Sequence, residues 1–379
     1  MSSIRRKALP VLALAAMAAV WTGCAAENYP QSIFQPVTDF GAQINDLFAG
    51  IFWWTMLVLV VVQVVLVYIL IRYRDRPGAE PRKIYGNNIA EILWTLGPAI
   101  IVVFILVPTV RTIFDTYERP EGDVLVVDAI GHQWWWEFRY PELGITTANE
   151  LHLPIDRPIE VRLSSADVIH NWWVPKLGGK RYNFPQPAMA PGEPEKHNFN
   201  VLYFNISEPG EYLGQCAEFC GVSHAIMRMM VVAQEPEEFE AWVAEMREPA
   251  GAVPQAAVPA PTQPAEEPAA QAELAEAPVT APMQDASLVA EGYQVFMRTG
   301  CAACHAINGT PAIGVLGPNL TGIGSRWSIG AGLFDNTDEN MARWIRNAPA
   351  LKPEAKMQEF PNLSDSDMKA LVAYLRSLQ

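Results

Sequence analysis

Cys216-Ala217-Glu218-Phe219-Cys220-Gly221-Val222-Ser223-His224-Ala225-Ile226-Met227 is the stretch on which the reading of this chain turns. Two thiols, an imidazole and a thioether lie within twelve residues. Thiolate and thioether are soft donors that favour copper. The thiols are spaced C-x3-C rather than the C-x2-C usual in zinc sites. Two bridging thiolates can hold two copper ions. A second imidazole is available upstream, because Asp167-Val168-Ile169-His170-Asn171-Trp172 lies at a strand end, 46 residues before Cys216. A lone histidine is more often a hydrogen-bonded structural residue. The Cys/Cys/His/Met cluster reverses that reading for His170.

Around this cluster, residues 123–235 alternate short apolar runs with Pro, Gly and Asn: VLVVDAI, WWWEFRY, ELHLP, IEVRLSS, HNFNVLYFNI and MRMMVVA. This pattern predicts the strands of an antiparallel β-sandwich or barrel. Residues 237–247 predict a short amphipathic helix with Phe239, Trp242 and Met246 on one side.

Towards the N-terminus, residues 51–71 and 92–110 are uncharged and apolar. Each is long enough to cross a bilayer at ~1.5 Å rise per residue. Arg72, Arg74, Arg76, Arg82 and Lys83 lie between them, which places the connecting loop in the cytoplasm and both flanks outside. Residues 1–24 read as an export signal: Arg5, Arg6 and Lys7 precede an apolar run too short to span. The run ends in Trp21-Thr22-Gly23-Cys24, a lipoprotein-like ending in which Cys24 becomes the lipidated N-terminus and Trp21 replaces the usual Leu-like residue.

Towards the C-terminus, residues 248–285 are Pro, Ala, Glu and Gln with almost nothing large, the composition of a disordered linker. Its r.m.s. span as a flexible coil is about 35 Å. Residues 286–379 form a small helical globule. A helix over 287–298 turns Leu288, Val295 and Phe296 inward. Ser364 with Asp367 reads as a capping box before MKALVAYLRSL, with Leu363 and Met368 as its hydrophobic staple. Within this globule Cys301-Ala302-Ala303-Cys304-His305 is C-x-x-C-H, the signature of covalent c-type haem attachment, with His305 as the proximal iron ligand. No histidine follows it, so the sixth ligand comes from Met341, Met357 or Met368. Met357 sits in an irregular loop and is preferred.

The chain has 379 residues, of which half are hydrophobic and 18% are charged, with a net charge of −14. That balance argues against nucleic acid as a partner. Charge is uneven: residues 1–111 carry +3, 112–247 carry −11, 248–285 carry −6 and 286–379 are neutral. Five cysteines are too few for a disulfide scaffold. Two go to copper, two to haem and one to lipid.

The copper cluster with its upstream His resembles the dinuclear CuA domain of cytochrome c oxidase subunit II, over residues 30–245. The resemblance implies a cupredoxin-like sandwich in which Cys216 and Cys220 bridge two coppers. It also implies His170, His224 and Met227 as terminal ligands, with Glu218 ligating through its backbone carbonyl. The Glu218 side chain would serve a Mg or Mn ion shared with subunit I. Trp134, in Gly131-His132-Gln133-Trp134-Trp135-Trp136, would receive electrons from cytochrome c, whereas Trp135 and Trp136 read as core and interface residues. Glu91, opening the second membrane helix, would stand at the cytoplasmic mouth of a proton pathway. His132, His152 and His197 read as structural or surface residues. Residues 286–379 resemble class I cytochromes c, with Met357 as axial ligand and Gly317-Pro318-Asn319-Leu320 as the loop packing on His305.

The expected organisation is signal (1–24), membrane hairpin (25–111), CuA domain (112–247), linker (248–285) and cytochrome c domain (286–379). That order resembles subunit II of bacterial haem–copper oxidases carrying a fused cytochrome c. It implies subunits I and III as partners, an upstream cytochrome or reductase as donor, and a place in the bacterial cytoplasmic membrane. A linker of this length gives an effective haem-domain concentration near the mM range, so tethering replaces electrostatic steering of a neutral haem domain. Three rivals use much of the same sequence: a CuA-containing nitric oxide reductase subunit, a quinol oxidase subunit, and a membrane-tethered electron carrier.

Overall fold

The two longest uncharged runs become the two longest helices. In this computed structural model, α1 (Asp39–Arg72) and α2 (Asn88–Asp115) form an antiparallel hairpin, longer at both ends than the apolar runs alone. The extensions are capped: Thr38 Oγ1 accepts from Gly41 N at 2.9 Å, and Asn87 Oδ1 accepts from Ile89 N and Ala90 N. Mean hydropathy reaches 2.7 and 2.3, and none of either apolar window is buried within the chain. Such faces suit lipid or another membrane subunit. The rings of Trp54 and Phe104 stack across the hairpin at 5.4 Å.

The structure describes residues 29–74, 78, 85–185, 199–249 and 286–379. The expected signal with Cys24, much of the basic loop, His197, and the linker apart from Glu248 and Pro249 lie outside the described residues.

A barrel-like sheet follows the helices. Its strands are β1 (Leu125–His132), β2 (Trp135–Tyr140), β3 (Ile145–Ala148), β4 (Glu150–Pro154), β5 (Ile159–Ser165), β6 (His170–Trp173), β7 (Arg181–Pro185), β8 (Asn200–Phe204), β9 (Gly210–Cys216) and β10 (Arg228–Gln234). Their order is β3-β2-β1-β5-β7-β6-β9-β10-β4, with β8 paired to β5. Most pairings are antiparallel, as the alternation suggests. β1 with β5, β4 with β10 and β5 with β7 are parallel, because the chain crosses between the two sheet faces before returning to them. β3, β7 and β9 escape the sequence reading, since each is short or interrupted by Gly, Asn or charge, whereas β6 lies where the reading put a strand end at His170.

The hydrophobic core runs through Leu125, Val127, Trp136, Phe138, Leu151, Val161, Trp172, Leu202 and Met229. The segment leading into α1, with the first turn of that helix, packs into this barrel. Val37 and Phe40 are buried in the same core, and Thr38 bridges to Ile206. Gly178 lies beneath Phe40 at φ +131°, where a Cβ would come within 2.5 Å of the ring. Helix α3 (Pro236–Arg247) buries Phe239, Val243 and Met246, while Trp242 is half-buried and stacks on His152 at 4.4 Å.

The C-terminal globule contains α4 (Ala286–Arg298), α5 (Asp338–Arg346), α6 (Ala348–Leu351), α7 (Asp365–Ser377) and a small hairpin of β11 (Ser328–Ile329) and β12 (Phe334–Asp335). Helices α4 and α7 cross where Gly292 meets Ala370; a Cβ on Gly292 would lie 2.0 Å from the Ala370 carbonyl oxygen. Leu288 is only half-buried, and Val295 and Phe296 form the inward face with Gly292. Ser364 caps α7 by accepting from Asp367 N at 3.1 Å. The Asp367 carboxylate is paired with Arg298 on α4.

Candidate metal centre

The loop from the end of β9 to the start of β10 folds back over itself, so that residues close in sequence converge. Cys216 closes β9. Cys220 follows on the loop, His224 opens a 3₁₀ turn (His224–Ile226), and Met227 precedes β10. His170 arrives from β6, which pairs with β9 through Trp172 and Cys216. Cys216 Sγ lies 3.8 Å from Cys220 Sγ and 3.8 Å from His170 Nδ1. Cys220 Sγ lies 3.6 Å from His224 Nδ1 and 3.8 Å from Met227 Sδ. The Glu218 carbonyl oxygen is 3.3 Å from Cys216 Sγ. Among the described residues, His170, Cys216 and Cys220 form a buried group with metal-binding geometry. Two thiols, two imidazole nitrogens, a thioether and a carbonyl around one point fit copper.

Electrostatics prepares this centre for a cation. The bond from Cys220 brings the Cys216 thiol down to about 3 against the opposing effect of burial, with His170 adding to the fall. The same sharing, together with burial, pushes Cys220 up. The pair thus favours one thiolate facing the imidazole of His170.

Asp167 is the functional residue that the sequence reading passed over. Its Oδ1 lies 2.9 Å from His170 Nε2 and accepts from Val168 N, while Oδ2 accepts from Gln133 N at 2.7 Å. A carboxylate accepts only, so Nε2 carries the proton and Nδ1 offers its lone pair to the thiol side. Burial would raise the Asp167 carboxyl; the bonds from His170, Gln133 and Val168 outweigh it and hold the group well below the usual range. Burial also works against a charged His170, but Asp167 and Cys216 lift it above its ordinary value. The only signal in the sequence was the i, i+3 spacing of Asp167 and His170.

A second site lies in the C-terminal globule. A half-open, mostly apolar cavity is lined by Cys301, His305, Pro318, Phe296, Met341 and Met357 among others. His305 Nδ1 donates to the Pro318 carbonyl at 2.8 Å, leaving the Nε2 lone pair free. Burial lowers the His305 pKa, which favours the neutral ligand form. Gly317 presses on the same ring: a Cβ there would come within 2.6 Å of His305 Cε1. Cys304 is exposed and does not line the cavity. Met341 is buried on α5 and Met357 half-buried in its loop, and both reach the cavity wall; Met368 does not, being core between helices. This apolar slot, with an oriented imidazole and the Cys301 thiol on its wall and Cys304 three residues along the chain, fits a covalently attached haem.

The two sites share a wall. Gln133, Trp134, Trp135 and Asn149 of the barrel line the same cavity as His305 and Met357. Trp134 is buried, and its Nε1 donates to the Cys220 carbonyl at 3.2 Å; Gln133 Nε2 donates to the same oxygen at 2.8 Å. Trp134 thus contacts the loop that carries the thiols on one side and the cavity on the other. Trp136 is barrel core, its ring 6.0 Å from that of His170, and Trp135 stacks on His132 at 4.1 Å. His132 and His152 make local hydrogen bonds to Glu137 and Glu150. Glu91 lies far from both sites, exposed in the first turn of α2.

Three family models match: the transmembrane domain of cytochrome c oxidase subunit II over residues 30–112, its periplasmic domain over 144–234, and cytochrome c over 289–379. Cytochrome c oxidase subunit 2 of Alkalihalophilus pseudofirmus is 36% identical over 330 residues, covering 85% of this chain and 83% of that protein. Quinol oxidase subunit 2 of Bacillus spizizenii is 35% identical over 62% of this chain and 72% of its own length. The crystallised periplasmic domain of subunit II of the Bradyrhizobium japonicum cytochrome oxidase is 28% identical over 35% of this chain and 98% of its own, at a TM-score of 0.30.

Proposed function

The chain belongs to the cytochrome c oxidase subunit II family and carries a fused cytochrome c domain, and from that premise we propose that it is the electron-input subunit of a bacterial respiratory terminal oxidase. As a family member it is part of a haem–copper oxidase complex, anchored by its helix pair and associated with subunit I.

In this reading electrons from an upstream cytochrome or reductase enter at the cavity bounded by His305. They cross Trp134 to the Cys216/Cys220 cluster and continue to subunit I, where oxygen is reduced and protons are translocated. Cys216, Cys220, His170, His224, Met227 and the Glu218 carbonyl would hold the copper. Cys301 and Cys304 would attach haem c, and His305 and Met357 would ligate its iron. When bound, the copper pair and the haem supply one-electron carriers of high potential.

The chain's own residues supply positioning. Asp167 fixes the His170 tautomer and the barrel core holds β6 against β9 under that ring, while the Pro318 carbonyl fixes the His305 tautomer. Rigid donors lower the reorganisation that accompanies each electron. Glu91, at the N-terminus of α2, is assigned as the proton-pathway entrance, and the Glu218 carboxylate as a ligand for Mg or Mn shared with subunit I. Cys24 is assigned as a lipid anchor, subunit III as a further partner, and the bacterial cytoplasmic membrane as the location.

The observation that carries this reading is Trp134, which contacts the thiol-bearing loop through the Cys220 carbonyl and lines the cavity that holds His305. The test is metal analysis with optical and EPR spectra of the complex purified from membranes. Two coppers per chain in a mixed-valence signal, one covalent haem and comigrating non-covalent haems are expected. Covalent haem without that copper signal would reduce the chain to a membrane-tethered cytochrome.

A further inference from the structure

The two domains meet across a small set of specific bonds, and one of them is chemically unusual. Lys352, on the loop between α6 and Met357, is 3% exposed. Its Nζ donates to three backbone carbonyls: Trp134 at 2.7 Å, Ile226 at 2.8 Å and Gly330 at 2.8 Å. An ammonium has three N–H donors, and all three are used. Two of the acceptors belong to the copper domain, from Trp134 itself and from the turn between His224 and Met227. The third belongs to the haem domain. The neighbouring residue extends the contact, since Ser223 Oγ donates to the Pro353 carbonyl at 2.7 Å. Farther along the interface, Trp327 N donates to Glu150 Oε2 at 3.0 Å, Arg228 N to the Ala331 carbonyl at 3.0 Å, and Asn308 Nδ2 to the Met246 carbonyl at 3.2 Å.

A buried ammonium with neutral acceptors is a poor way to gain stability. Its desolvation costs several kcal/mol, and an apolar side chain of similar length would avoid that cost. Carbonyl acceptors at fixed backbone positions do, however, define one position for the charge and thus one docking register. Shape alone would let an apolar interface slide.

The geometry points to Lys352 as the positioning residue that locks the haem domain, with its cavity open on Trp134, onto the copper domain of its own chain. This rests on the electron path proposed above and adds what makes that path continuous. While the clamp holds, Trp134 is buried at the interface and closed to free cytochromes. The fused haem is then the route into the copper centre.

The test uses the complete purified complex carrying Lys352→Met, Lys352→Arg or Ser223→Ala. Haem c and copper contents, spectra and potentials are measured first. An electron is then placed on haem c by photoreduction, and its transfer to the copper centre is timed. Leaving three buried acceptors unpaired is expected to slow transfer in Lys352→Met by at least about tenfold, with both potentials unchanged. The slowed step is expected to depend on solvent viscosity, because the domain must then find its dock by diffusion. Lys352→Arg keeps donors and is expected to recover part of the rate. Ser223→Ala is expected to slow transfer by a smaller factor, and it carries the test if Lys352→Met does not assemble. An unchanged transfer rate in a fully loaded Lys352→Met complex, or in Ser223→Ala where that one is absent, would overturn the clamp. So would a slowed rate accompanied by a shifted haem c or copper potential, which would mean that the sites themselves had been disturbed. Absence of copper or haem from the wild-type complex would refute the electron path instead.

Discussion

Replacing Gly131 by alanine tests whether the barrel backbone fixes the His170 ring. Gly131 lies on β1, held on one side by Trp136 of β2 and on the other by Ser165 of β5. A Cβ at this position would stand 2.6 Å from His170 Cδ2, 2.8 Å from Cγ and 3.0 Å from Cβ. Unstrained carbon contacts lie near 3.5–4.0 Å, so the ring must retreat by about 1 Å. It has no free space, since His170 is fully buried and its Nε2 is tied to Asp167 at 2.9 Å. Neither flanking strand allows β1 to give way instead. Overpacking of this kind costs about 1–3 kcal/mol. A displaced or tilted imidazole should also lower copper affinity by roughly tenfold to a hundredfold, the range seen when ligand-orienting contacts are lost. The assay is copper content per chain, a chelator competition titration and the EPR spectrum of the Gly131→Ala complex beside wild type. Full copper content with an unchanged EPR signal and unchanged chelator resistance would refute the argument, because the ring would then have accommodated the methyl without moving.

Met357→Leu should abolish the optical signature of His/Met ligation at haem c, whereas Met341→Leu should keep it and show only the packing loss of a buried side chain; the reverse pattern would transfer the axial role to α5. Gly292→Ala should destabilise the haem domain by about 2–3 kcal/mol, because its Cβ would collide with the Ala370 carbonyl at 2.0 Å and the ~1 kcal/mol gain in helix propensity cannot offset this; a thermal melt followed at the haem c absorption reads it, and an unchanged midpoint would refute it. Glu150 links the domains through Trp327, and although burial acts to raise its pKa, the bonds from His152 and Trp327 and the nearby Arg326 hold it below its ordinary value of 4.5. Its contribution to docking is therefore complete above pH 4.5 and is lost as pH falls through the lower folded value; limited proteolysis of the complex across pH 3–6 should show release of the haem domain only at the acid end, and Glu150→Gln should remove that dependence.

The interface explains why a neutral haem domain needs no long-range steering. Its contacts are hydrogen bonds of backbone groups, of the Ser223 hydroxyl and the Asn308 amide, the buried Lys352 ammonium and the Glu150 carboxylate, with one ion pair among the described residues, between exposed Lys356 and Asp167 at 3.4 Å. Salt screens the exposed pair and leaves the buried contacts nearly untouched.

What the sequence determined by itself was everything carried by short covalent spacing or by long uniform composition. Cys216, Cys220, His224 and Met227 lie on one loop, so their convergence follows from chain connectivity. Cys301, Cys304 and His305 lie within five residues, and the two apolar runs are long enough to cross a bilayer. Tertiary structure decided the rest. The pairing of β6 with β9 brings His170 to the thiols, and Asp167 then has a defined object for its carboxylate. The parallel pairing of β1 with β5 and the burial of Val37 and Phe40 depend on crossovers that no local periodicity encodes. Where the cavity faces Trp134, Lys352 joins the domains through main-chain carbonyls 22, 126 and 218 residues away. A side chain leaves its identity in the sequence, but a backbone carbonyl is present at every residue, and only the fold selects which of them meet.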